Sequence, residues 1–242
     1  MVLYIPMISR EFAPMADGSI WQYYHLADGI AVLTSKGREL IHERPETLRE
    51  LRNYRRKVLG RTATAESGLV RQWFSNGGNS DIYELAAGSG LVVKETTTEQ
   101  AMYHALNRMD RFKTIIEGGD VPRWIDIPVH YGLLTTSSSE ADYMLMQKID
   151  SGVTVRDIID DSEEPSPQAA EALLSLGLID GQFRQEVADQ FILARSILDT
   201  AIINAGHEPR DYMPDWDQAN VLVERLETPI AGSHVMLWVI DQ

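Results

Sequence analysis

The stretch DWDQANVLV, residues 215–223, sets an aspartate five positions ahead of an asparagine and runs at once into an apolar segment. Asp215, Asp217 and Asn220 bring two carboxylates and an amide to one loop, and Trp216 stands among them. Acid and amide groups presented from a strand end serve phosphate chemistry, and the same residue types also build ordinary turns. The rest of the chain must decide between the two. Three other places set polar groups against apolar strands. SNGGNSDIYEL (75–85) is a glycine turn between two extended pieces. LVVKE (91–95) puts Lys94 behind two valines, and LWVIDQ (237–242) carries Asp241 after an apolar run.

Composition narrows the chemistry. With 242 residues, 44% of them hydrophobic, the chain has enough apolar material for a normal core. Its net charge of −14 argues against a nucleic-acid partner, because a phosphate backbone wants a basic surface. A phosphorylated small molecule is compatible with that charge, since a few lysines or a bridging Mg²⁺ neutralise it locally. There is no cysteine, so disulfides and thiolate metal sites are ruled out, and the six histidines lack metal-ligand spacing. MVLYIPMISREFAPM does not read as a signal peptide, and no apolar run reaches membrane-spanning length. A cytoplasmic protein with no membrane partner is expected.

The elements that position these residues follow from periodicity. GIAVLTSKGRELIHE reads equally as a hairpin or as a strand running into a helix. RPETLRELRNYRRKVLG (44–60) has Leu48, Leu51, Tyr54, Val58 and Leu59 on one helical face, with Gly60 as its cap. RQWF, SDIYEL and LVVKE read as extended pieces, and TEQAMYHALNRMDRF (98–112) as a helix. IPVHYGLLTTSSSEADYMLMQKI reads as two strands around a polar turn at 135–142. Helices are expected in TVRDIID, in PQAAEALLSLGLID after an acidic linker, and in QEVADQFILARSILDTAIINAG, which Gly206 and Pro209 should stop. ANVLVERL and HVMLWVIDQ close the chain as two strands joined by a Pro/Gly turn. Strands, helix, strands, helices and a late hairpin argue for an α+β fold rather than alternating α/β units.

Taken in order, the glycine turn, LVVKE, YMLMQKIDSGVTVRDII, DWDQANVLV and LWVIDQ resemble the protein-kinase-like superfamily, which includes the aminoglycoside and choline phosphotransferases. The resemblance covers roughly residues 71–242. It implies a compact bilobal fold: an N-lobe of antiparallel sheet plus one helix over 71–149, and a reduced helical C-lobe over 150–242. Residues 1–70 are left as an extension of unknown role.

The resemblance also implies roles. Gly77, Gly78 and Ser80 would cover the phosphates of ATP, glycine allowing close backbone approach; a plain hairpin turn fits that segment equally. Lys94 would grip the α/β-phosphates. Glu99 would orient Lys94, or serve only as a helix-start carboxylate. In MLMQKIDSG, Met146 would be the gatekeeper, and Gln147 and Ile149 would meet the adenine through their backbones. Asp215 would orient the acceptor hydroxyl. Asn220 and Asp241 would bind Mg²⁺, which prefers such hard oxygens.

The match has departures. Met213 and Pro214 stand where the family's histidine and arginine precede the catalytic aspartate. Asp217 stands where protein-serine/threonine kinases have a lysine, and one residue follows Asp241. The expected function is an ATP- and Mg²⁺-dependent phosphotransferase, a compact atypical serine/threonine kinase with a protein substrate. The alternatives are a pseudokinase-type binding module, a small-molecule kinase, nucleotidyl transfer to protein, and an unrelated α+β protein carrying chance motifs.

Overall fold

Thr34 makes the first tertiary decision in the chain. Its backbone N–H donates to the Tyr131 carbonyl at 3.0 Å, and its hydroxyl accepts from the Gly37 N–H at 3.1 Å, capping a helix start. Strand β2 (Gly29–Leu33) therefore runs straight into helix α1 (Ser35–Glu43). Of the two readings that GIAVLTSKGRELIHE allowed, the strand-into-helix one holds. The computed structural model describes residues 22–26, 29–51, 82–85, 88–96, 99–136, 142–149, 153–160, 170, 173–174, 176–177, 179–213 and 216–240. RQWF, the glycine turn, the far end of the 44–60 helix, the acidic linker and half of 167–180 lie outside these residues, and so do Asp215 and Asp241.

The protein is mixed α+β and divides into two compact units. The first holds a six-stranded antiparallel sheet. Its strands are β1 (Gln22–Leu26), β2, β3 (Ile82–Glu84), β4 (Leu91–Thr96), β6 (His130–Thr136) and β7 (Asp142–Gln147), in the order β1-β2-β6-β7-β4-β3. Part of the 1–70 stretch thus belongs to the sheet itself: β2 pairs with β6, Gly29 opposite Thr136.

One face of this sheet is closed by α1 and by helical residues 46–51. Leu40, Ile41, Leu48 and Leu51 join Leu33, Leu91, Val93, Leu134, Tyr143 and Leu145 in one buried cluster. Close approach makes this possible. A Cβ on Gly37 would collide with the Tyr131 carbonyl, and one on Gly132 with the Val32 carbonyl. The Tyr131 side chain packs on the cluster, where burial raises its phenol pKa above 10.0; Arg44 opposes that shift and Glu43 reinforces it.

Helix α2 (Glu99–Gly118) extends beyond the expected 98–112 and buries Leu106, Met109, Phe112 and Ile116 at helical spacing. The second unit holds a three-stranded sheet, β5-β9-β8. β8 (Val221–Ile230) and β9 (Ser233–Val239) form a hairpin, and β5 (Ile125–Asp126) lies parallel to β9. Lys113 of α2 is ion-paired with Asp126 of β5. Helix α3 (Val155–Ile159) starts on a capping box between Thr154 and Asp157.

The long helix α4 (Gly181–Asn204) is capped by Asp180 and buries Phe183, Val187, Ala194, Leu198 and Ile202. Gly206, at φ 82°, ends it as expected, but Pro209 opens a further short helix, α5 (Pro209–Tyr212), at the position where proline loses no hydrogen bond.

Candidate functional site

In the first unit Lys94 sits in β4 opposite Met144 of β7, and Val92 sits opposite Met146. Side chains alternate along a strand. Leu91, Val93, Tyr143 and Leu145 point into the core under α1, so Val92, Lys94, Met144 and Met146 share the other face. Val92, Met144 and Met146 are buried there, and Lys94 is half-buried. The two valines before Lys94 do mark a buried strand. Met146 is the diagonal neighbour of Lys94, at about the 7–8 Å typical of such pairs.

Beyond Met146 the backbone is partly committed. The Gln147 N–H donates to the Val129 carbonyl at 2.8 Å, and the Lys148 N–H to the Gly90 carbonyl at 2.9 Å. The Gln147 side chain folds back to accept from the Val129 N–H at 3.2 Å. The Gln147 N–H is therefore already engaged and not available to a ligand. The Ile149 N–H makes no hydrogen bond among the described residues. Glu99 is the first residue of α2, where the helix dipole favours a carboxylate.

In the second unit the loop before β8 is held chiefly at Trp216 and Asp217. Trp216 stacks on Phe191 of α4, centroids 5.0 Å apart, and the Arg195 guanidinium lies 5.7 Å from its ring. Arg195 is in turn bonded to Asp199 at 3.0 Å. Asp217 caps the 3₁₀ turn Gln218–Asn220 by accepting from the Ala219 N–H at 2.7 Å, and its carboxylate pairs with Arg156 of α3 at 2.6 Å. So the indole anchors the loop and Asp217 shapes it. Neither role was read from the sequence; the Thr-Val-Arg-Asp pattern signalled a helix start but not the partner of its arginine.

The β8–β9 hairpin then closes the loop. Val221 is paired with Val239, and the Ile240 N–H donates to the Asn220 carbonyl at 3.0 Å. Asn220 is thereby hydrogen-bonded to the residue that precedes Asp241 in the chain. Two residues far apart in sequence meet because Ala231 and Gly232, both at positive φ, turn the chain between Ile230 and Ser233. Pro229, expected in the turn, lies instead within β8, where the register breaks between Arg225 and Ile230.

No protein-family model and no curated protein matches this chain. Among the described residues there is no group of three or more His, Cys, Asp or Glu able to hold a metal ion. Of the acidic and asparagine residues singled out in the two C-terminal motifs, Asp217 and Asn220 are described; Asp215 and Asp241 lie outside the described residues, as do Gly77, Gly78 and Ser80. Ile149 is buried with Leu222 and Trp238, against the base of the hairpin that carries Asn220.

Proposed function

We propose that this chain is an ATP- and Mg²⁺-dependent phosphotransferase acting on a hydroxyl, with a bilobal kinase-like fold and a protein serine or threonine as acceptor. One observation carries the reading: the hydrogen bond from the Ile240 N–H to the Asn220 carbonyl. It joins the end of the Asp-x-x-x-x-Asn loop to the Ile-Asp end of the last strand, where phosphoryl transfer needs its metal-holding oxygens. An amide and a carboxylate are the hard donors that fit Mg²⁺. When bound, Mg²⁺ spreads the negative charge of the phosphates.

The protein's own groups have distinct tasks. Asp215 orients the acceptor hydroxyl, from a loop held still by Trp216 against Phe191. Lys94 binds phosphate oxygens from the β4 face it shares with Met146. The adjacency of β4 and β7 supports this reading, since one nucleotide must reach both the lysine and the stretch after Met146. The Ile149 N–H, which makes no hydrogen bond among the described residues, is offered to the base as a donor.

The test is label transfer from ATP carrying a radioactive terminal phosphate, with Mg²⁺, into a cell lysate and into the protein itself. Labelled bands with wild type that vanish with Asp215→Ala are expected. Equal silence from both sinks the protein-kinase reading. Retained ATP binding would then point to a pseudokinase, a reading favoured by the engagement of Asp217 with Arg156 where a lysine is expected.

A further inference from the structure

Asp217 poses an electrostatic difficulty for the function proposed above. Its carboxylate stands two residues after Asp215, in a chain of net charge −14, and would repel an incoming phosphate. The structure supplies an answer. Arg156 Nη2 lies 2.6 Å from Asp217 Oδ1, which cancels the charge at that point. A guanidinium has five N–H donors, and among the described residues Asp217 is the one partner the Arg156 guanidinium has. The arginine side chain is 46% exposed.

A surface ion pair alone would mean little. This arginine is held from two further directions. The Val223 N–H donates to the Val153 carbonyl at 2.8 Å, and Thr154 makes a bridge to Leu222. The Thr154–Asp157 capping box fixes the first turn of α3, where Arg156 stands. Residues 153–157 are thus registered against the start of β8, immediately after Asn220. The backbone that carries Arg156 is in this way hydrogen-bonded to the strand that follows Asn220.

We propose that Arg156 is a phosphate-binding residue of this site, held by Asp217 so that its remaining N–H groups meet the terminal phosphate of the nucleotide. With its charge offset by Asp217, it would supply from α3 the guanidinium N–H donors that the loop itself lacks. A planar fork suits the task, since it takes two phosphate oxygens at once. The inference rests on nucleotide binding in the proposed function, and does not require that transfer occurs.

The experiment measures binding of ATP, adenosine and inorganic tripolyphosphate to the full chain, with Mg²⁺, by titration calorimetry. Wild type, Arg156→Ala and the double variant Arg156→Ala/Asp217→Asn are compared, each first checked for an unchanged melting temperature. Arg156→Ala is expected to weaken ATP and tripolyphosphate about tenfold or more, the loss of one charge-assisted contact, and to leave adenosine binding unchanged. Asp217→Asn in that background keeps an oxygen for the Ala219 N–H and removes the unmasked carboxylate, so it is expected to recover phosphate binding only in part. Unaltered ATP affinity in Arg156→Ala overturns the proposal. Full restoration by Asp217→Asn also overturns it, because Arg156 would then only mask a carboxylate. A wild-type chain that binds none of the three ligands removes both this inference and the nucleotide-dependent function, whereas ATP binding without label transfer removes transfer alone.

Discussion

Asp215 and Lys94 give different failures when removed. Under the proposed function, Asp215→Ala abolishes phosphoryl transfer while ATP affinity stays near wild type, because the residue meets the acceptor and not the nucleotide. Lys94→Ala weakens both, with an affinity loss of about 1.5–3 kcal/mol, as for a hydrogen bond to a charged group. Calorimetric titration alongside label transfer separates the two. Trp216 gives a third pattern. Its stacking on Phe191 sets the loop, so Trp216→Ala should cost about 2–3 kcal/mol of stability, less than a fully buried aromatic, and should lower transfer further than ATP affinity. Thermal melts and the same two assays check it. The difference in legibility among these residues is physical. Lys94 behind two valines could be read because strand alternation is local. Arg156 and Phe191 could not, because what matters about them is a partner dozens of residues away.

Elements fail in their own way. Helix α1 depends on Gly37, whose missing Cβ lets it lie against the Tyr131 carbonyl. Gly37→Ala is expected to cost about 1–3 kcal/mol or more, since backbone on both sides must move. A urea melt with fluorescence detection measures it. The hairpin offers the opposite sign. Ala231 stands at φ 50° in the first position of a two-residue turn, a conformation that strains alanine and suits asparagine. Ala231→Asn should raise stability by about 0.5–1 kcal/mol without altering nucleotide binding. The strands and helices with clear period were legible: β4, β6, β7, α2, α4 and the closing hairpin all lie where the pattern put them. Strand β5 escaped because two residues carry no period, and it exists only because β9 runs beside it.

At the scale of the whole molecule, residues 22–51 serve the sheet rather than standing apart from it. Removing them would uncover Leu91, Val93, Leu134, Tyr143 and Leu145 together. Such a truncated chain is expected to bind a hydrophobic dye and to lose a cooperative melt, which dye fluorescence and calorimetry would detect. Alkaline pH probes the same contact in the intact chain. The Tyr131 phenol is raised above 10.0 in the folded state, chiefly by burial. Its contribution to stability is complete below pH 10 and declines as pH rises through the folded value, so Tyr131→Phe should flatten the alkaline limb of the stability curve. The α+β class was legible from the order of elements. The cover over the sheet was not, since a helix pattern does not say which face it will close.

The pairing of Gly29–Leu33 with Gly132–Thr136 also sets an order in time. As the chain leaves the ribosome, β1 and β2 can form a hairpin at once, but their sheet partner has not been made. Until residue 136 emerges, the apolar side of α1 has half its surroundings missing. Such distant pairing slows folding and leaves apolar surface exposed during synthesis. A pause in translation just before β6 should therefore lower the yield of native protein more than one placed after β7.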